Sequence, residues 1–122
     1  MSRKVYTIGR KSNVGEALKI MFKKNISRLV IVENNTPIGI VTIRDIMDRL
    51  GSSRLKSLPP SKIRIATVMS EKPITIKPDT DVREAVSIML ENNISSLPVT
   101  MGDELVGIVT KTDLIRLLQD ES

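Results

Sequence analysis

The sequence predicts an α/β protein of the α+β kind: two pseudo-symmetric β-α-β-β-α units packed together through their sheets as one globule. Three observations carry this expectation. Residues 6–50 and 74–118 align as two copies of a 45-residue unit, without a gap, at an offset of 68. Seventeen of the 45 paired positions are identical, in blocks such as Asn25-Ile26-Ser27 with Asn93-Ile94-Ser95. The other block is Gly39-Ile40-Val41-Thr42-x-x-Asp45 with Gly107-Ile108-Val109-Thr110-x-x-Asp113. Each copy is too small to bury its apolar face alone, so the two are expected to share one core with two equivalent clefts.

The elements follow in the same order in each copy. Ile74-Thr75-Ile76 is a short β-rich run that Pro78 ends, and Tyr6-Thr7-Ile8 is its counterpart. Asp81 then stands three residues before Glu84, and Asn13 before Glu16, which is the spacing of a capping box. Behind those caps run Val14, Ala17, Leu18, Met21 and Phe22, and again Val82, Ala85, Val86, Met89 and Leu90. This is the stripe of a helix buried on one face. Two apolar runs come next, Leu29–Val32 and Ile38–Ile43 around Asn34-Asn35, then Leu97–Val99 and Leu105–Val109 around Gly102-Asp103. Those turn residues favour hairpins. A second helix closes each copy, at Ile43–Leu50 and Lys111–Leu118. The organisation expected is a first unit over 1–50, a linker over 51–65 marked by glycine, serines and Pro59-Pro60, and a second unit over 66–122.

Composition excludes much chemistry. The 122 residues contain no cysteine and no histidine, which removes thiolate nucleophiles, imidazole bases and the usual zinc ligands. No phosphate-binding glycine loop of the P-loop or dinucleotide type occurs. We expect no catalytic residue and no metal site. No membrane-length apolar run or signal-peptide core is present, so the expected location is cytoplasmic, with no membrane partner. Charge is asymmetric: residues 1–64 hold 14 Lys/Arg against 4 Asp/Glu, and residues 65–122 hold 5 against 10. That pattern suits a polyphosphate or nucleic-acid partner, a head-to-tail dimer, or solvated surface.

The strongest local signal is Thr-x-x-Asp at the strand-to-helix turn of both copies. The bland reading is a helix N-cap, with the threonine bonding the third amide and the aspartate answering back. The same geometry suits a ligand, because a helix N-terminus presents unpaired N–H groups to a phosphate. An aspartate one turn in can accept from both hydroxyls of a ribose.

On these residues, with Val68-Met69-Ser70-x-x-Pro73-Ile74-Thr75-Ile76 and Asn93-Ile94-Ser95-Ser96-Leu97-Pro98-Val99, the whole chain resembles a pair of cystathionine-β-synthase (CBS) domains, a Bateman module. The resemblance implies a disc-like homodimer and an adenine nucleotide or other adenosine ligand between the copies. AMP comes first, then ADP, ATP or S-adenosylmethionine, held without catalysis as a regulatory signal to an unidentified effector protein. It implies that Asp45 and Asp113 hold ribose, and that Thr42, Arg44, Thr110, Lys111 and Thr112 meet phosphate. Backbone at Thr7-Ile8, Thr75-Ile76, Arg28–Val30 and Ser96–Pro98 would frame the adenine. The first copy departs from the pattern: nothing before Tyr6 matches Val-Met-Ser-x-x-Pro, and Val30 stands where the second copy has Pro98. Unequal occupancy of the two sites is therefore expected. Two other readings compete, a nucleic-acid binder using the basic half and a ligand-free structural or partner-binding module. Against the first, the chain's aromatics are Tyr6 and Phe22, with Phe22 placed on the buried stripe.

Overall fold

The first repeat begins with a short strand β1 (Thr7–Gly9), which pairs in parallel with β2 (Arg28–Glu33). The computed structural model describes residues 5–51 and 57–120. Between these strands runs α1 (Val14–Lys24), started by Asn13, whose Oδ1 accepts from the Glu16 N–H at 2.9 Å. The Glu16 carboxylate accepts back from the Asn13 amide at 2.8 Å, so this cap is reciprocal, with the answer going to the side chain. The helix ends at Asn25, in the left-handed region at φ 54°, and the Ile26 N–H reaches back to the Met21 C=O at 3.0 Å. Asparagine tolerates this conformation better than residues with a branched Cβ, and the six-to-one bond closes the last turn.

Strands β2 and β3 (Thr36–Thr42) form the expected hairpin, with Glu33 opposite Thr36 across a two-residue turn. Asn34 and Asn35 both have positive φ, as a type I′ turn requires. Then comes α2 (Ile43–Leu50), over the bounds expected. After the undescribed residues come a 3-10 turn at Pro60–Lys62, a single helical turn α3 (Ile65–Val68), and β4 (Ser70–Glu71). β4 pairs antiparallel with β3, completing a four-stranded sheet in the order β1-β2-β3-β4.

The second repeat contains α4 (Val82–Asn92), the hairpin β5 (Ser96–Met101) and β6 (Glu104–Thr110), and α5 (Lys111–Asp120). Asn93 repeats the left-handed cap at φ 51°, with the Ile94 N–H bonded to the Met89 C=O. Gly102 alone has positive φ in the second hairpin turn, the II′ pattern. Asp81 caps α4 through the Arg83 N–H at 2.8 Å, not through Glu84 as the capping-box spacing suggested.

Four further differences from expectation concern a strand, two helix faces, one helix end and the linker. Ile74-Thr75-Ile76 does not form a strand; it is reduced to one parallel bridge, Ile76 to Val99. In the first repeat the Val30 N–H donates to the Tyr6 C=O at 3.3 Å. Pro98 stands at the equivalent place and has no N–H to give Ile74. Phe22 is 76% exposed and Leu90 72%, so neither lies on a buried stripe. The buried face of α1 centres on Val14, Ala17 and Met21. At about 100° per residue, Phe22 falls roughly a quarter-turn outside it. α5 runs two residues past Leu118.

The fourth difference concerns residues 51–72. Residues 52–56 of the expected linker lie outside the described residues. Ile63 and Ile65 are buried, as are Val68 and Met69, which the sequence placed at the opening of the second repeat. All four join Ile8, Val14, Ala17, Leu29, Ile31, Val41 and Ile46 in one core. The chain thus folds as two compact units, one over Tyr6–Lys72 and one from Pro73 onward that also takes in Val5. The second unit has its own core of Ile76, Ala85, Met89, Leu97, Val99, Val109 and Leu114.

Candidate functional site

In the first repeat, antiparallel register sets Arg28 directly opposite Thr42 and Val30 opposite Ile40, while Thr7 pairs with Val30. Side chains alternate across a strand, so Thr7, Arg28, Val30 and Thr42 share one face of the sheet. Ile8, Leu29, Ile31 and Val41 share the other, which is the core face. The second repeat matches: Ser96 lies opposite Thr110 and Pro98 opposite Ile108, with Leu97, Val99 and Val109 turned to the core. Val30 and Pro98 are fully buried although neither belongs to the helix-covered core. The expected site residues on strands thus gather on the face away from the helices. Ile8 and Ile76 reach it through backbone only, since their side chains are buried in the cores; Thr75 is exposed.

The turns that open α2 and α5 are built alike. The first helical N–H is taken by the strand before: Ile43 donates to the Ser27 C=O at 3.0 Å, and Lys111 to the Ser95 C=O at 2.9 Å. The third is taken by the threonine: Asp45 N–H donates to Thr42 Oγ1 at 3.0 Å, and Asp113 N–H to Thr110 Oγ1 at 3.3 Å. Among the described residues this leaves the second N–H, that of Arg44 or Thr112, without a protein acceptor. Each turn therefore points one free donor out of the helix N-terminus, where the helix dipole favours an anion. Ser27 and Ser95 are the residues that sequence reasoning did not assign to the site. Their only signal was the repeated Asn-Ile-Ser block, which the fold explains as cap, core contact and helix anchor.

The two aspartates differ. Asp113 spends Oδ2 on the Thr110 N–H at 3.0 Å, completing a reciprocal capping box. The half-buried Asp45 carboxylate has no protein hydrogen bond or ion pair among the described residues. The cap reading thus holds for both threonines and for Asp113, and leaves Asp45 unexplained by capping. Arg44, Lys111 and Thr112 are exposed beside these turns. Among the described residues no group of acidic, histidine or cysteine side chains is arranged to hold a metal, and no helix is long and apolar enough to cross a membrane.

This chain belongs to the CBS domain family: the family model matches residues 1–52 and again residues 65–120. The two matches contain the repeat copies 6–50 and 74–118 and extend beyond both, whereas the packing units divide after Lys72. An uncharacterized protein of Methanocaldococcus jannaschii, MJ1404, is 32% identical over 98% of this chain, which spans 31% of that protein. A CBS domain-containing protein of Dictyostelium discoideum is 32% identical over 97% of this chain and 87% of its own length. Among solved structures, the CBS domain pair of protein MJ0100 superposes with a TM-score of 0.86 at 31% identity, over all of this chain and 94% of that one. That structure was determined in complex with 5′-methylthioadenosine and S-adenosyl-L-methionine.

Proposed function

We propose that this CBS pair is a regulatory module that binds an adenosine-containing ligand at the turns opening α2 and α5, and relays occupancy to a separate effector protein. The observation that carries the reading is the Asp45 carboxylate, half-buried and free of protein hydrogen bonds one turn into a helix whose Arg44 N–H is also free. Its oxygens keep access to solvent and none is taken by the protein, so they are open to an external donor such as a ribose hydroxyl. Asp113 meets the same ligand with its remaining acceptor capacity. Arg44 offers a planar fork to phosphate and Lys111 a point charge, so the two turns need not favour the same phosphate count. AMP is our first choice, because each turn pairs an anion-binding N–H with a nearby cation. The likeness to MJ0100 brings S-adenosylmethionine and methylthioadenosine forward as its competitors.

The mechanism is a population shift in which ligand favours one arrangement of the module, in its homodimer, over another. The exposed Phe22 and Met47, and their counterparts Leu90 and Ile115, supply apolar helix surface for a dimer contact. Isothermal titration of AMP, ADP, ATP, S-adenosylmethionine and methylthioadenosine into the wild type, Asp45→Ala and Asp113→Ala tests the reading. Micromolar binding weakened at least about tenfold by either substitution, about 1.4 kcal/mol, supports it. No heat from any of the five with a folded wild type overturns it. The exposure of Phe22 also removes one objection to the nucleic-acid reading, so single-stranded RNA belongs in the same titration series, with salt-sensitive binding its signature.

A further inference from the structure

Helices α1 and α2 cover the first unit's core, and α4 and α5 cover the second's. Each pair also exposes large apolar side chains: Phe22 and Met47 in the first unit, Leu90 and Ile115 in the second. These four correspond pairwise at the offset of 68. The charges beside them are reversed. Phe22 is followed by Lys23 and Leu90 by Glu91, while Met47 is followed by Asp48 and Ile115 by Arg116. At both places the repeat keeps an apolar residue and inverts the sign of its neighbour.

All four charged side chains are exposed, and none has an ion pair or hydrogen bond within the described residues. The helices carrying them differ in the same sense. α1 holds three lysines, Lys19, Lys23 and Lys24, against Glu16, whereas α4 holds Arg83 against Glu84 and Glu91. A contact of first unit on first unit would set these lysines against their own copies. A contact of first unit on second unit would set them against an acidic helix. Apolar burial supplies association, and the surrounding charges select register and reject wrong pairings.

We infer that each exposed helix face docks on the opposite face of a second copy of this chain. α1 and α2 of one copy meet α4 and α5 of the other, with Lys23 beside Glu91 and Asp48 beside Arg116. Used twice, this contact joins two copies head to tail. The inference rests on the homodimer of the proposed function and adds which faces meet.

The chain has no cysteine, so introduced thiols report the contact. Phe22→Cys and Leu90→Cys proteins are treated with a short bis-maleimide, each alone and as an exchanged equimolar mixture. The mixture should yield at least tenfold more covalent dimer than either variant alone. Covalent dimer from Phe22→Cys alone would overturn the inference, by setting first unit on first unit. Sedimentation equilibrium reads the charges. Lys23→Glu should weaken the dimer about tenfold, because the reversal acts at both contacts, and adding Glu91→Lys should restore it. Lys23→Glu without effect, or without rescue by Glu91→Lys, would overturn the inference. So would a Leu90→Cys thiol closed to maleimide at dilutions where the chain is monomeric, since the chain would then cover this face itself. A wild type that stays monomeric at millimolar concentration would overturn the homodimer as well, whereas the adenosine titrations test the ligand reading separately.

Discussion

Single side chains separate structure from ligand most cleanly at Asp45 and Asp113. They occupy the same place in the repeat, yet only Asp113 closes its capping box. Asp113→Ala should therefore lower the urea midpoint by an amount equivalent to about 0.5–1.5 kcal/mol, the worth of one hydrogen bond. Asp45→Ala should change it by less than about 0.5 kcal/mol, as for a position with no protein partner to lose. Equal losses would show that Asp45 is bonded in solution. Thr42→Val and Thr110→Val should each cost about 1 kcal/mol in the same assay, since each threonine accepts the third N–H of its helix. Both turns were legible from Thr-x-x-Asp alone, because a cap is a contact between residues three apart. The inequality of the aspartates was not legible, since it rests on whether a carboxylate rotates toward its own cap.

Elements were readable where short-range chemistry settles them. The Asn-Asn turn, the left-handed asparagines and the amphipathic helices all involve residues within a few positions of one another. Asn25 and Asn93 make this testable: glycine at either place should leave stability within a few tenths of a kcal/mol or raise it, while valine should cost about 1–2 kcal/mol because its branched Cβ clashes at positive φ. Urea midpoints decide. The strand expected at 74–76 failed for a non-local reason, the missing N–H of Pro98 on a neighbouring strand. Pro98→Val should supply that donor, and hydrogen exchange should find the new amide at 98 protected, as the amide of Val30 is expected to be. A freely exchanging amide there would mean that something else keeps Ile74 away.

For the molecule as a whole, the division after Lys72 makes residues 60–71 part of the first unit's core. Ile65 is fully buried, so Ile65→Ala should cost about 2–5 kcal/mol by thermal or urea unfolding, far more than a linker residue would. Gly39 records the same packing. A Cβ there would meet Met69 Sδ at 2.8 Å and the Ser70 carbonyl at 2.9 Å. Gly39→Ala should therefore displace β4 and cost about 1–3 kcal/mol. Part of the repeated Gly-Ile-Val-Thr block is thus a backbone contact with a distant segment, as well as the approach to a helix cap.

The repeat, read as sequence, determined the hairpin turns, the helix starts and the two turns where a ligand is proposed. Those features rest on periodicity and on hydrogen bonds between near neighbours, which any eight or ten residues display. Only the tertiary structure decided where residues 60–71 pack and which face of α1 and α4 is buried. Residues 60–71 join the first unit's core through contacts with residues far away in sequence, and no local pattern encodes such a choice.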